Sequence, residues 1–189
     1  MPDLILAGRP ALVTGGASGL GRAAALLLAA HGAPVMIADI DRDGGRAVVD
    51  DIKASGGHAH FRYTDVTDRA DVRRMVADAG EVMGGLSILM NNAMANPRDD
   101  YGVDERWDVM LESGLSAYWA AATAAEPLLI ASGHGSIVQI ASIAGARMGI
   151  EFASEAYCAA KASIVGLTRK LAKRLGPQGV RVNCIAPGV

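Results

Sequence analysis

The stretch Ala11–Ala30, "ALVTGGASGLGRAAALLLAA", decides how the chain is built. A short apolar run leads into a turn holding Gly15, Gly19 and Gly21, and a strong helix-forming segment follows. Glycine reaches positive φ without steric cost and lets backbone approach a ligand where a Cβ would intrude. The new helix aims unpaired N–H groups and the positive end of its dipole at the same turn, which suits a pyrophosphate. In a chain with 23 glycines, an ordinary glycine-rich turn is the bland alternative. The neighbouring sequence has to decide between the two.

Outward from that stretch, short buried-strand patterns alternate with helical ones. Strands are predicted near 10–14, 34–39, 58–63, 86–91, 135–141 and 179–186, with helices near 19–31, 42–55, 68–83, 104–131 and 156–175. Each parallel return needs a crossover, so the alternation predicts a doubly wound α/β fold of six parallel strands, of Rossmann type. No linker, repeat or low-complexity segment interrupts residues 1–189, and a single domain is expected. In "APVMIADID" (33–41) the second strand delivers Asp39, eighteen residues beyond Gly21. A Rossmann unit places an acid there to bind an adenosine ribose, and a carboxylate would favour NAD over the 2′-phosphate of NADP. A turn aspartate closing a strand is the competing reading.

Bulk properties exclude other classes. With 51% hydrophobic and 20% charged residues and a net charge of −2, the chain has no disordered character and no nucleic-acid footprint. Its longest apolar run, "AAALLLAA" (23–30), is too short for a bilayer. No basic segment precedes an apolar one at the start, so no secretory signal and a cytoplasmic location are expected. Cys158 and Cys184 fit no metal spacing and are expected as isolated thiols. His58 and His60 alternate on a predicted strand without a third ligand nearby, so no metal is expected.

The later half supplies chemistry. The strand in "GSIVQIASIAG" (135–145) delivers Ser142 to the sheet edge where ligands bind in open α/β folds. "YCAAK" (157–161) puts Tyr157 and Lys161 four apart on one helical face. A nearby ammonium favours a phenolate, and such a tyrosine can exchange a proton with a carbonyl oxygen. The pair alone has little weight, because this spacing recurs by chance.

Taken together, "TGGASGLG" (14–21), "NNA" (91–93), Ser142, "YCAAK" (157–161) and "NCIAPG" (183–188) resemble the short-chain dehydrogenase/reductase family. The resemblance covers essentially the whole chain. It implies an NAD(P)-dependent alcohol dehydrogenase or ketone reductase, with NAD as the cofactor that Asp39 favours. It makes Tyr157 the general acid/base, gives Lys161 the nicotinamide ribose and the tuning of Tyr157, and gives Ser142 the substrate oxygen. Thr14, Gly15, Ser18, Gly19, Leu20, Gly21, Asp39 and Ile40 then belong to the cofactor site. Asp65 and Val66, in "TDVTD" (64–68), stand at the adenine, Asn91 and Ala93 at a ribose, and Pro187 and Gly188 near the nicotinamide. For Asp65 a helix N-cap is the other reading.

Three departures from the family pattern stand out. Met94 replaces a glycine, so it must turn away or narrow the pocket; methionine is adaptable enough for either. Gly114, seven residues after Trp107, replaces an asparagine that in the family sits at a helix distortion and holds a water near the lysine. Glycine can keep such a distortion, and Ser113 or Ser116 is a candidate for the missing polar group. The chain also stops at Val189, where the resemblance implies a substrate-covering segment and a final strand. These departures motivate an alternative function, an NAD-binding protein with little or no catalysis. The expected partners are a small alcohol or ketone and further copies of the chain, as homodimer or homotetramer. The small Ala-rich faces at 117–125 and 159–162 are the expected contacts. Met148, Ile150 and Phe152 are apolar candidates for the substrate wall.

Overall fold

The structure is a computed structural model, and it describes residues 4–95, 100–146 and 153–188. Met148, Ile150 and Phe152 fall outside the described residues. Six parallel strands form one sheet: β1 (Ala11–Thr14), β2 (Val35–Asp39), β3 (Ala59–Tyr63), β4 (Ile88–Asn91), β5 (Ser136–Ile140) and β6 (Arg181–Ile185). Each lies within two residues of its expected bounds. Their order is β3-β2-β1-β4-β5-β6, so the winding reverses between β1 and β4. That switch point opens a crevice at the C-terminal strand ends.

The central strands are apolar on both faces because both are covered. On one face Leu12, Met36, Leu89 and Ile137 pack with Val72, Met75 and Val76 of helix α3 (Arg69–Met83). On the other, Val13, Val35, Ile37 and Ile140 meet α1 (Gly19–Ala30) and α2 (Arg42–Ala54) through Ala25, Val48 and Ile52. Asp41 caps α2 by accepting the Gly44 N–H at 3.0 Å.

The long helix expected over 104–131 is three pieces: α4 (Val103–Leu111), a π-helical turn (Glu112–Ser116) and α5 (Ala117–Ala131). Two further helices follow, the short α6 (Ile143–Ala146), which was not foreseen, and α7 (Glu155–Leu175). The Ala-rich face at 117–125 also needs correction as a contact between copies. Ala117, Ala120, Ala121, Ala122 and Ala125 are buried against the chain's own sheet and α3. Small side chains let α5 approach the sheet closely, and the large exposed residue of α5 is instead Trp119. Among the described residues no helix is long and apolar enough to cross a membrane.

Candidate active site

The glycine turn is built as three different solutions. Gly15 and Gly19 adopt φ of 66° and 51°. Gly21 lies at ordinary helical φ, but a Cβ there would run into the Gly15 carbonyl oxygen and sit 2.6 Å from Asn92 Nδ2. Ser18 precedes α1 without a side-chain cap, so the first N–H groups of the helix stay available. Asp39 ties this turn to β2: its Oδ2 accepts from the Ala17 N–H at 2.9 Å and its Oδ1 from the Asp41 N–H at 3.0 Å. Ile40 beside it is exposed. A glycine cradle, open helix N–H groups and an acid at the end of β2 fit a dinucleotide.

Asp65 does not cap α3. That role belongs to Asp68, which accepts from the Ala70 N–H at 2.8 Å. Asp65 Oδ1 instead accepts from the Thr67 N–H at 2.8 Å and the Thr67 hydroxyl at 2.7 Å, a tight turn beyond β3. Val66 follows it and lines a small hollow with Thr14, Asn91 and Ala93.

The asparagine pair divides its work in a way the sequence did not reveal. Asn91 is 1% exposed. Its amide donates to Gln139 Oε1 at 2.8 Å and to the Tyr118 carbonyl at 3.3 Å, so it faces the interior between β4 and β5. Asn92, not among the expected residues, reaches the crevice wall. Its Nδ2 donates to the Thr14 and Gly15 carbonyls at 3.0 and 3.1 Å. The N–H groups of Asn92 and Ala93 both donate to Thr14 Oγ1, at 3.0 and 3.1 Å. Thr14 is thus the hub that fixes the segment after β4 to the glycine turn.

Ser142, Tyr157 and Lys161 come together in a crevice of about 770 Å³, which Leu20, Pro187 and Gly188 also line. That volume lies within the range typical of small-molecule sites. Ser142 follows β5, and its Oγ accepts from the Ala144 N–H at 3.2 Å. Tyr157 stands in the first turn of α7, where Ser154 caps the helix by accepting the Tyr157 N–H. Lys161 is 4% exposed, and its Nζ donates to the Ile140 carbonyl at 2.7 Å. The ammonium lies 5.7 Å from the Tyr157 ring centroid and 5.8 Å from that of Tyr118. Buried Tyr118, a second residue missed in the sequence, shares the same acceptor through its hydroxyl at 3.3 Å. Burial raises the Tyr118 phenol, with Tyr157 adding to the effect.

Burial also pulls Lys161 down to about 8 from 10.5. Between those values the unfolded chain holds the proton that the folded one has lost. Folding stability from this group therefore rises with pH across about 8 to 10.5. The melting temperature of the wild type, taken relative to that of Lys161→Met, is expected to rise with pH over that window. A constant gap would mean the ammonium is not desolvated.

The π-turn confirms a distortion around Gly114, and it redirects Ser113. That buried hydroxyl donates to the Val109 carbonyl at 2.7 Å, back into its own helix, and is spent there. Met94 turns away from the crevice, which it does not line. Its thioether lies over Gly114 instead: a Cβ at 114 would be 2.8 Å from Met94 Cε and 3.5 Å from Sδ. Glycine inside a helix costs about 0.5–1 kcal/mol relative to alanine, and here it makes room for the methionine.

A Rossmann sheet with a glycine cradle, an acid at the end of β2 and a Ser-Tyr-Lys crevice defines an NAD(P)-dependent dehydrogenase. Residues 9–189 match the family model described as short chain dehydrogenase, and the chain belongs to that family. It is 40% identical over 185 residues to the 2,5-dichloro-2,5-cyclohexadiene-1,4-diol dehydrogenase of Sphingobium indicum, covering 97% of this chain and 73% of that one. It is also 40% identical over 193 residues to the trans-4-hydroxycyclohexanecarboxylate dehydrogenase of Sinomonas cyclohexanicum, with the same coverage of 97% and 73%. A solved short chain dehydrogenase from Burkholderia cenocepacia, in complex with NADP, superposes with a TM-score of 0.86 at 38% identity. That match covers 97% of this chain and 75% of the other.

Proposed function

We propose that the chain interconverts a secondary alcohol on an alicyclic ring and the matching ketone, using NAD, with Tyr157 as general acid/base. The observation that carries this reading is the convergence of Ser142, Tyr157 and Lys161 on one crevice. A protein that only bound a dinucleotide would have no chemical need for all three.

Bound nicotinamide supplies the hydride acceptor for oxidation and the donor for reduction. The protein's part is protons and orientation. Tyr157 takes the hydroxyl proton as the carbinol hydrogen departs, and returns it in the reverse direction. Ser142 Oγ already accepts from Ala144, so its own proton is free to hold the substrate oxygen. Lys161, fixed on Ile140, opposes the negative charge that develops on Tyr157. Val103, Trp107 and Met110 of α4 line the crevice together with Ile143, an apolar lining suited to a hydrocarbon ring. The ring alcohols named for the Sphingobium and Sinomonas relatives support the same substrate class.

Asp39 supports NAD, because a 2′-phosphate brought to the end of β2 would meet the charge of its carboxylate. The Burkholderia relative holds NADP, so cofactor choice needs a direct test. Purified protein assayed with cyclohexanol-type alcohols is expected to prefer NAD by about tenfold or more in kcat/KM, the factor that ~1.4 kcal/mol of repulsion produces. Asp39→Ser should narrow that ratio. Equal efficiency with the two cofactors would remove the Asp39 assignment, and dinucleotide binding without turnover of any alcohol would favour a binding-only protein.

A further inference from the structure

Met94 and Gly114 are one feature. The backbone just before Met94 is pinned, since Asn92 and Ala93 N–H groups both bond to Thr14 Oγ1 and the Asn92 amide holds the Thr14 and Gly15 carbonyls. The methionine side chain therefore leaves from a fixed point at the cofactor wall. Asn92, two residues earlier, and Lys161 line the crevice, and the π-turn carries Gly114 nearby. The thioether takes the niche over that glycine, and the niche exists because residue 114 has no side chain. Its floor is closed by Ala160, whose Cβ would lie 3.0 Å from a Cβ at 114. Ala160 immediately precedes Lys161 on α7, so the niche that takes the thioether adjoins the helix that carries Tyr157 and Lys161.

We propose that Met94 is a positioning residue whose thioether, held in the Gly114 niche, keeps the cofactor side of residues 92–95 clear and ties that segment to the π-turn. The inference rests on the dinucleotide reading above for its functional half and on packing alone for the other.

A double-mutant cycle tests it with Gly114→Ala, Met94→Ala and M94A/G114A. Dinucleotide dissociation constants, cofactor KM, kcat and melting temperature are measured for each. A Cβ at 114 would stand 2.8 Å from the Met94 methyl, so on this proposal the flexible thioether is what yields, toward the crevice. Gly114→Ala is therefore expected to weaken NAD binding about tenfold, mainly in cofactor KM with kcat little changed. Adding Met94→Ala should restore affinity to within about twofold of wild type, and Met94→Ala alone should stay within about threefold. Both variants with alanine at 114 carry the same approach to Ala160, so the difference between them belongs to Met94. Wild-type affinity in Gly114→Ala, or no recovery in the double variant, overturns the proposal. So does coupling in melting temperature with affinity unmoved. If Gly114→Ala does not fold, folding of M94A/G114A supports the pair and its failure overturns it. If the wild type binds neither NAD nor NADP, the dinucleotide reading fails, and additive melting shifts would dismiss the pair as well, whereas non-additive shifts would uphold its packing half.

Discussion

Tyr157→Phe is expected to lower turnover by about 10²–10⁴-fold, the usual contribution of a positioned proton-transfer group. Dinucleotide affinity should stay within about twofold. The ring survives the change, so the packing of α7 and the neighbouring ammonium, 5.7 Å from the ring centroid, keep their partner. The Ser154 cap uses the Tyr157 backbone N–H and is indifferent to the side chain. What disappears is the one hydroxyl among Ser142, Tyr157 and Lys161 placed to trade a proton beside that ammonium. Rates measured under single-turnover conditions, with NAD binding titrated in parallel, separate chemistry from affinity. Undiminished turnover would defeat the acid/base assignment, and a matching collapse of affinity would mean the change damaged the fold.

The second large effect is expected at Gly21. Alanine there places a methyl group onto the Gly15 carbonyl oxygen and 2.7 Å from its carbonyl carbon. These are backbone atoms, and Asn92 holds the same carbonyl, so nothing flexible can yield. Gly21→Ala is expected to weaken dinucleotide binding by about 100-fold or more, with overpacking of about 1–3 kcal/mol or above in stability. Gly19→Ala is the informative comparison. A Cβ at Gly19 meets nothing within 4 Å, and only its φ of 51° opposes alanine. That left-handed conformation costs about 1–2 kcal/mol. Comparable losses in the two variants would mean that turn conformation, and not close packing of α1 on the turn, dominates the cradle.

Much of this architecture was legible in the sequence, for identifiable reasons. Strands buried on both faces are largely apolar runs, so β1 and β2 announce themselves, and the glycines between β1 and α1 mark the crevice. Ser142, Tyr157 and Lys161 were found through spacing joined to a family resemblance. The asparagine pair was harder. Adjacent residues at a strand end point to opposite sides, and only register decides which one faces the ligand. Asn91 went inward to Gln139, and Asn92 took the wall. The alanines of α5 were misread because small side chains look the same whether a neighbouring helix or the chain's own sheet covers them. Tyr118 was invisible for a related reason. Its role depends on the Ile140 carbonyl, which Lys161 reaches from another helix, and no local pattern reports that meeting.

The methionine resting over Gly114 also makes positions 94 and 114 dependent on one another. A first side-chain atom at 114 would stand 2.8 Å from the Met94 methyl and 3.0 Å from the Ala160 Cβ, so growth at 114 has to be met by movement or shortening of the side chain at 94. The two positions share one small volume, and what either can hold is set by the other.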